Sequence, residues 1–242
     1  MLTNEHKLIA KVATSEYEIH QAMKLRYHVF SRKNIFPFSK ENNDSKVDMD
    51  FLDRHCQHIV VIEKTTNKVI GTARFLEKKT ALKNNIFLTN DGFDNTELMQ
   101  VKDEFIEIGR VCVDEDYQSG NAFFLIKKEF NNFIRKHYFE RKLFVIGMYS
   151  IEYSNDRELS GIYHYLKEKS NFSYFNVNAA ETRGYKVMAK SQSVQITSDK
   201  QLPKLLRVYL SMGAKLLGTP CTDTVCNNIL SISLPIVITY DV

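Results

Sequence analysis

A glutamate and an arginine lie inside a strand-forming stretch near the middle of the chain. Between Phe105 and Val113 the residues are mostly apolar and β-branched, which predicts a buried strand, and Glu107 and Arg110 interrupt it with charge. A charged side chain in such a strand must be paired, solvated or used in chemistry, because burying an isolated charge is costly. These two residues are therefore candidates for proton transfer and for binding a charged group.

A polar turn follows this strand and leads into a helix predicted over Asn121 to Phe139. The first amide groups of a helix have no partners within the helix and lie at the positive end of its dipole, so the turn from Gln118 to Ala122 is suited to a phosphate or pyrophosphate. The letters of this turn match neither GxGxxG nor GKS/T. An ordinary connection between strand and helix therefore remains the alternative.

Three aspartates form a second group with chemical potential. Asp48, Asp50 and Asp53 lie in a long polar stretch, 31–57, whose length is typical of a functional lid. Carboxylates this close repel one another unless an arginine, another cation or a substrate ammonium group is near. A solvated acidic loop is the alternative interpretation.

Two more arginines lie in elements that must be positioned around these groups. Ser15 with Glu18 predicts the start of a helix that carries Arg26 near its apolar face. Two strands at 58–63 and 69–77 form a predicted hairpin, and Arg74 interrupts the second of them. The remaining pattern predicts mostly loop over 81–104 with a short helix near 93–100, a strand at 143–149, helices at 158–167 and 202–212, an extended segment at 185–191 and a closing strand at 228–239 with Pro235 at an edge or bulge.

Composition predicts one domain over residues 1–242. The chain is 43% hydrophobic, which is enough to bury a full core at this length. The net charge is +4 and the pI is near 8.7, but the lysines are dispersed and form no arm of the kind that binds nucleic acid. A mildly basic surface suits an acidic protein, a coenzyme or an anionic membrane, and simple solubility is the alternative.

The cysteines and the apolar runs indicate where the protein works. Cys56, Cys112, Cys221 and Cys226 are too few and too scattered for a disulfide scaffold, so we expect a reduced, cytoplasmic protein. No second pair of Cys or His stands at zinc spacing, and we therefore expect no metal site. The longest apolar runs are far shorter than the ~20 residues that span a bilayer, so any membrane contact should be peripheral.

Five segments of the chain, taken in order, resemble a known family: LRYHVF, DMDFLDRHCQHIVV, VIGTARFL, IEIGRVCVDEDYQ and LPKLLRVYLSMGAKLLGTPCTD. They are similar to the GNAT-like N-acyltransferases that take acyl groups from acyl carrier protein, and most of all to the bacterial ornithine lipid synthases that make lyso-ornithine lipid. The similarity runs from about residue 24 to about residue 234, and the N-terminal half more distantly resembles the acyl-homoserine lactone synthases. The resemblance implies an α/β fold with a mixed, twisted sheet flanked by helices.

The family pattern also implies which residues form the site. It contains an arginine and a phenylalanine one turn apart, a spaced acidic trio, an arginine on the strand after the hairpin, and Glu-x-x-Arg on the central strand. The matching residues are Arg26, Phe30, Asp48, Asp50, Asp53, Arg74, Glu107 and Arg110. One departure follows Tyr117, where this chain reads Gln-Ser-Gly-Asn-Ala and relatives carry an arginine and more glycines.

The roles follow from the chemistry of acyl transfer from a thioester to an amine. The amine must lose a proton, for which Glu107 is the first candidate base and Asp50 the second. The residues expected to shape the acceptor pocket, largely as ion pairs, are Arg26, Phe30, Asp48, Asp53, Arg74 and Arg110. Donor binding is expected from the backbone of Val111, Cys112 and Val113 and from the turn of Gln118, Ser119, Gly120, Asn121 and Ala122.

The geometry of the central strand needs one irregularity for this scheme. Strict alternation places Glu107 and Arg110 on opposite faces of the sheet. A bulge, which Gly109 would permit, brings them closer and frees N–H groups near Val111 for the thioester. We therefore expect a bulge at or near Gly109.

The resemblance implies an enzyme that moves a fatty acyl or 3-hydroxyacyl group from acyl carrier protein, or from acyl-coenzyme A, to the α-amino group of ornithine or another amino acid. The partners are then the acyl carrier protein and the amino acid, with peripheral contact to the inner membrane and no permanently bound cofactor. The alternatives are a synthase of N-acyl amino acid or acyl-homoserine lactone signals, an acetyl-coenzyme A-dependent N-acetyltransferase, and a non-catalytic haemolysin-like membrane protein.

Overall fold

The computed structural model of the protein describes residues 8–32, 38–89, 92–118, 120–152, 156–169, 174–180, 185–187, 194–223 and 231–241. The helices in these segments are α1 Glu16–Arg32, α2 Lys40–Ser45, α3 Lys78–Asn84, α4 Thr96–Gln100, α5 Ala122–His137, α6 Asp156–Lys169 and α7 Lys204–Ser211. The strands are β1 Leu8–Val12, β2 Gln57–Glu63, β3 Lys68–Glu77, β4 Phe93–Asp94, β5 Glu104–Val113, β6 Lys142–Glu152, β7 Asn178–Ala179, β8 Tyr185–Val187, β9 Lys215–Leu216, β10 Cys221–Asp223 and β11 Ser231–Asp241. Single 3-10 turns occur at Asp53–His55, Glu115–Tyr117 and Asp199–Gln201.

The chain forms two compact units. The first contains Met1–Thr80, Ile108–Glu140 and Val242, and the second contains Ala81–Glu107 and Arg141–Asp241. Strand β5 contributes to both, because the boundary falls between Glu107 and Ile108. The organisation of residues 1–242 as one domain stays a prediction.

The first unit is built on neighbouring strands β1, β2 and β3, with β5 beside β3. β1 pairs antiparallel with β2, and β2 pairs antiparallel with β3 so that His58 lies opposite Arg74. Strand β2 is buried along nearly its whole length, which is typical of a strand covered on both faces. Val60 packs in the same core as α1, and Val61, which points to the other face, lies with Ile126 of α5 around Gly71.

The second unit contains the long antiparallel pair of β6 and β11, whose register runs from Lys142 opposite Asp241 to Glu152 opposite Ser231. Strand β11 also pairs antiparallel with β10 and with β9. Strand β8 pairs antiparallel with β10. A core of Ile162, Leu166, Leu202, Leu206 and Ile236 joins α6 and α7 to this sheet. Within the described residues, the types predicted for these segments are confirmed. Positions 188–191 of the predicted extended segment and 228–230 of the predicted closing strand lie outside the described residues.

Two polar stretches contain more regular structure than their sequences indicated. Within 31–57, helix α2 begins after Ser39, whose hydroxyl accepts a hydrogen bond from the Asn42 amide at 3.1 Å, and ends at Lys46 with a φ of 57°. Within 81–104, which we expected to be mostly loop, helix α3 runs to Asn84 and a two-residue strand precedes α4. Both helices are short, so their few apolar residues give no clear period. Capping by Ser39 begins α2, and a hydrogen bond from the Ile86 amide to the Ala81 carbonyl follows the end of α3.

An aromatic cluster in the first unit provides a test of the core. Phe75 of β3 is 0% exposed and contacts Phe130 and Phe133 of α5, with ring centroids 5.4 and 4.7 Å away. We expect Phe75→Ala to lower the free energy of unfolding by about 3–5 kcal/mol, because a large cavity remains. Phe139→Ala removes the same atoms from a side chain that is 69% exposed and should change it by less than about 0.5 kcal/mol. Urea denaturation of both variants measures the difference.

Candidate active site

A buried arginine joins two of the predicted aspartates. Arg26, which has no solvent exposure, donates from Nε to Asp48 Oδ2 at 2.8 Å and from Nη1 and Nη2 to the two carboxylate oxygens of Asp53 at 2.6 and 3.0 Å. Its Nη2 also donates to the backbone oxygen of Asp48 at 2.5 Å. The paired bonds to Asp53 fix the guanidinium plane as well as its charge. This arginine therefore holds the acidic segment against α1.

Two further arginines complete the network. Arg74 donates from Nη1 to Asp50 Oδ1 at 2.7 Å and to Asp53 Oδ1 at 2.8 Å. Arg110 donates from Nε to Asp48 Oδ2 at 3.0 Å, and its Nη2 lies 3.5 Å from Asp50 Oδ2. The ion pairing expected of the three arginines is thus present, and three guanidinium groups balance three carboxylates. A balanced group of this kind tolerates burial because each charge has partners.

Local structure brings the aspartates to Arg26. The amide of Asp48 donates to the carbonyl of Met23 on α1 at 3.1 Å, which fixes the acidic segment beside the helix. Asp53 begins a 3-10 turn, and its Oδ2 accepts a hydrogen bond from the amide of Asp50 at 2.9 Å. The acidic segment is therefore folded around its own carboxylates and is not a solvated loop.

The charges shift the pKa values of the buried groups. Burial alone would raise the pKa of Asp53, but the hydrogen bonds and charge of Arg26, with the charge of Arg74, lower it well below its ordinary value. Burial would lower the pKa of Arg26, and the two carboxylates reverse this and raise it. Both groups therefore stay ionised at neutral pH.

His58 belongs to this network, although the sequence analysis gave it no role. Its Nε2 lies 3.1 Å from the carbonyl oxygen of Asp53, so Nε2 carries the proton that it donates there. Burial, followed by the charges of the two nearby arginines, lowers its pKa, and Nδ1 has no hydrogen-bond partner among the described residues. The signal that could have found it is the hairpin register, which places it opposite Arg74.

The irregularity expected in β5 lies one residue later than Gly109. Arg110 has a φ of 53°, whereas Gly109 is outside the left-handed region. Such a backbone conformation costs a residue with a side chain about 1–3 kcal/mol. Its ion pairs with Asp48 and Asp50 stabilise this conformation, because they hold the side chain where the distorted backbone places it. The distortion therefore falls on a residue held by charge contacts and not on the glycine.

Only two members of the network reach solvent to a useful extent. The side chains of Asp50 and Arg110 are 28% and 23% exposed, and the other aspartates and arginines are at most 4% exposed. The outer edge of the network is thus one carboxylate next to one guanidinium. This pair has the charges that bind an ammonium group and a carboxylate.

Glu107 lies in the second unit and is buried, with 1% exposure. Its Oε2 accepts a hydrogen bond from the amide of Leu88 at 2.9 Å, and its Oε1 accepts from the amide and hydroxyl of Thr89 at 3.1 and 2.7 Å. The carboxylate therefore anchors the segment after α3. Thr89 had no signal in the sequence analysis, because it is a single hydroxyl in an irregular segment.

Phe30 and Cys112 pack in the core of the first unit. Both are 6% exposed and lie with Leu25 and Val29 of α1 and with Val60 of β2. The family pattern places Phe30 in the acceptor pocket, and this role stays a prediction; in the structure Phe30 also packs the helix that carries Arg26 into the core. Helical spacing explains this, because a residue four places after Arg26 lies on the same inward face of α1.

The turn before α5 is ordered by its own hydrogen bonds. Gln118 donates from its side chain to the carbonyl of Val113 at 3.1 Å, and the amide of Gly120 donates to the carbonyl of Tyr117 at 3.1 Å. Asn121 is exposed and precedes a helix that starts with the buried Ala122, and its side chain makes no capping bond. Ser119 lies outside the described residues. The assignment of this turn and of Val111 to the acyl donor stays a prediction.

Comparison with known proteins identifies the class of this fold. Residues 25–128 match the family model described as acetyltransferase (GNAT) domain. A CoA-dependent acyl-homoserine lactone synthase has a similar structure, with a TM-score of 0.53 and 11% identity over 96% of this chain and 83% of that chain. An aminoglycoside 6'-N-acetyltransferase complexed with coenzyme A gives a TM-score of 0.51 at 6% identity, over 96% of both chains. The protein has the GNAT acyltransferase fold, as the sequence predicted.

Two curated relatives are more specific. An L-ornithine N(alpha)-acyltransferase of Agrobacterium fabrum is 33% identical over 119 residues, which are 46% of this chain and 41% of the relative. The protein of the same name from Rhizobium meliloti is 24% identical over 219 residues, which are 86% of this chain and 72% of that relative. The chain thus spans less than half the length of the first relative and most of the second. The resemblance to ornithine acyltransferases recognised in the sequence is confirmed.

The buried network predicts that two arginines of α1 contribute very differently to the free energy of unfolding. Arg26→Met leaves Asp48 and Asp53 with too little positive charge, and we expect it to lower the free energy of unfolding by about 3–5 kcal/mol. Arg32→Met removes an exposed arginine that pairs with Glu115 at 3.0 Å and should cost less than about 1 kcal/mol. Chemical denaturation monitored by circular dichroism compares them, and equal losses would contradict a structural role specific to Arg26.

His58 predicts a pH dependence of stability. Its pKa is lowered from 6.5 on folding, so below pH 6.5 the unfolded chain binds a proton that the folded protein resists, and stability falls as pH decreases. Between pH 6.5 and 5 the stability should fall more steeply in the parent protein than in His58→Gln, by at most about 1.4 kcal/mol per pH unit. The exposed His20→Gln serves as the control and should keep the slope. Unfolding free energies measured across this range test it.

Proposed function

We propose that this protein is an N-acyltransferase that moves a fatty acyl group from a thioester to the α-amino group of ornithine or another amino acid. The likeness to two ornithine acyltransferases and the GNAT fold support this class of reaction. The single observation that carries the proposal is the partly exposed pair of Asp50 and Arg110 at the edge of the buried network. An amino acid has an ammonium group and a carboxylate, which match this pair.

In this proposal the two partly exposed charges hold the acceptor, and the buried charges position those two. Asp50 binds the ammonium group of the amino acid and Arg110 binds its carboxylate. Arg26, Asp48, Asp53 and Arg74 act as positioning residues, because their contacts with one another fix Asp50 and Arg110 in place. The buried residues keep their charges paired and offer none to the substrate.

The reaction needs one proton transfer from the amine. The neutral amine attacks the thioester carbonyl carbon, the C–N bond forms, the C–S bond breaks, and the thiolate takes up a proton. Asp50 is our first choice for the group that accepts the amine proton through a water molecule, because its side chain reaches solvent. Glu107 is the second choice, because it is buried and holds the amides of Leu88 and Thr89. This order is the reverse of the one that the sequence favoured.

The donor is proposed to lie along the end of β5 and the turn that follows. The backbone of Val111, Cys112 and Val113 would bind the thioester and its amides, and the residues Gln118, Ser119, Gly120, Asn121 and Ala122 would bind phosphate. We propose acyl carrier protein as the carrier of the thioester, with acyl-coenzyme A as the alternative. The acyl-homoserine lactone synthase with a similar structure is described as CoA-dependent, so both donors are included in the test.

The setting of the reaction is part of the same proposal. The described helices include none with the length and apolar character needed to cross a bilayer. We propose a cytoplasmic enzyme that contacts the inner membrane peripherally, because a fatty acyl amino acid made as the first step of lipid synthesis partitions into a bilayer. Release of the product at the membrane follows from that chemistry.

The test combines purified protein with an acyl donor and an amino acid, and it measures the acylated product by mass spectrometry and the freed thiol by a colorimetric reagent. Palmitoyl carrier protein and palmitoyl-coenzyme A are compared as donors, and ornithine, lysine and glycine as acceptors. We expect thiol release that depends on ornithine and yields N-acylornithine. Acetyl-coenzyme A is included as a third donor, and hydrolysis without an acylated amino acid, or transfer only from acetyl-coenzyme A, would overturn the proposal.

Two variants then locate the acceptor site. Asp50→Asn should lower kcat by about 10²–10⁴-fold and raise the KM for ornithine, with the KM for the donor unchanged, because it removes both the base and the ammonium partner. Asp116→Asn changes an exposed aspartate of the same unit and should have no effect. If Asp50→Asn retains kcat while Glu107→Gln loses it and stays folded, the base is Glu107 and our order is wrong.

A further inference from the structure

An open cavity of about 580 Å³ lies on the outer side of α1, in the first unit. Leu25 and Val69 form its apolar floor, and Tyr27 contributes an aromatic wall. Its volume is in the range typical of sites for small ligands. None of the described residues of the turn from Gln118 to Ala122 lines it, which separates it from that part of the proposed donor site.

The rim of this cavity is strongly basic. The side chains that contribute positive charge or can do so are those of Lys24, His28, Arg32, Lys46 and Lys68. The spacing of three of them explains the concentration of charge, because positions 24, 28 and 32 are about one helical turn apart and lie on the same face of α1. This face lies away from the charged network, toward which Arg26 points.

The positive charges are only partly compensated. Lys68 pairs with Asp114 at 2.8 Å, and Arg32 pairs with Glu115 at 3.0 Å. Within the described segments, Lys24 and Lys46 have no carboxylate partner. Lys46 is held in place by Tyr27, with Nζ 3.4 Å from the phenol oxygen and 5.5 Å from the ring centroid.

We propose that this cavity is a second ligand site and that it binds a phosphate group. Two lysines without carboxylate partners among the described residues supply the charge that a phosphate dianion needs, and their ammonium groups supply several hydrogen-bond donors. The apolar floor of Leu25 and Val69 accommodates a hydrocarbon portion next to the phosphate. The ligand is therefore a phosphate ester, whose source is either a phospholipid headgroup or a free phosphorylated metabolite.

The position of Lys46 links this site to the acidic segment. Lys46 adopts a φ of 57° at the end of α2, and the chain then enters the core at Val47 and Asp48. A ligand that binds Lys46 therefore stabilises the turn that leads directly into the charged network. The proposal of a phosphate site rests on the cavity and its charges and does not depend on the proposed acyl transfer.

The binding test titrates the full chain with inorganic phosphate and with glycerol 3-phosphate, followed by calorimetry at constant ionic strength. We expect saturable binding that Lys46→Gln weakens about fivefold and that Lys24→Gln with Lys46→Gln weakens more, in line with the loss of one and two charge contacts. Lys128→Gln, on the exposed side of α5, is the matched control and should bind like the parent protein.

A variant that should strengthen phosphate binding distinguishes the site from nonspecific attraction between charges. Asp114→Asn removes a carboxylate that lines the cavity and releases Lys68, so phosphate should bind more tightly than to the parent protein. An asparagine can still accept the hydrogen bond that the Asp114 side chain receives from the Asp116 amide, so the local turn is retained. Circular dichroism confirms folding of each variant before the titration.

The source of the phosphate is assigned by sedimentation with vesicles of phosphatidylglycerol, using phosphatidylcholine vesicles as the control. Binding to phosphatidylglycerol that Lys46→Gln reduces assigns the site to a lipid headgroup. Binding of glycerol 3-phosphate without vesicle binding assigns it to a free metabolite. Absence of saturable binding in every arm, or equal binding by Lys46→Gln and Lys128→Gln, would overturn the proposal.

Discussion

The pairing of Arg26 with Asp48 and Asp53 is the interaction on which the first unit depends. A buried guanidinium is tolerated when hydrogen-bonded carboxylates surround it, and here two carboxylates accept three hydrogen bonds from Arg26 while the backbone oxygen of Asp48 accepts a fourth. These contacts tie helix α1 to a segment whose large apolar side chains, Met49 and Phe51, are exposed and contribute little burial. Arg74 then connects the same carboxylates to β3. A charged cluster therefore performs the joining that apolar packing performs elsewhere in the core.

This arrangement changes how the acidic trio relates to a substrate. Three aspartates close in sequence suggest a site that attracts a cation, but each of them already faces an arginine. Recognition is then left to the edge of the cluster, where Asp50 and Arg110 are partly exposed. The buried members fix the spacing and orientation of these two charges, which is how a rigid support improves the geometry of a binding site.

Glu107 and Asp50 illustrate why residue type alone does not assign a catalytic role. Both are carboxylates within the family pattern, and either has the chemistry of a general base. Glu107 is enclosed and accepts hydrogen bonds from Leu88 and Thr89, whereas Asp50 lies at the solvent edge of the network. Helix α1 shows the same division between its faces, because Arg26 points into the network and Lys24 lines an open cavity.

The sequence by itself determined the order and type of the main elements and the aspartates and arginines of the charged network. Periodicity predicted α1, α5, the hairpin of β2 and β3, and strand β5, because long patterns repeat the burial of one face many times. It did not determine the short helices α2 and α3, whose ends depend on local hydrogen bonds. Only the tertiary structure decided that the distortion of β5 falls on Arg110, that His58 joins the network and that Phe30 packs in the core. These facts depend on contacts between residues far apart in the chain, such as Arg110 with Asp48, and a pattern of neighbouring letters does not contain them.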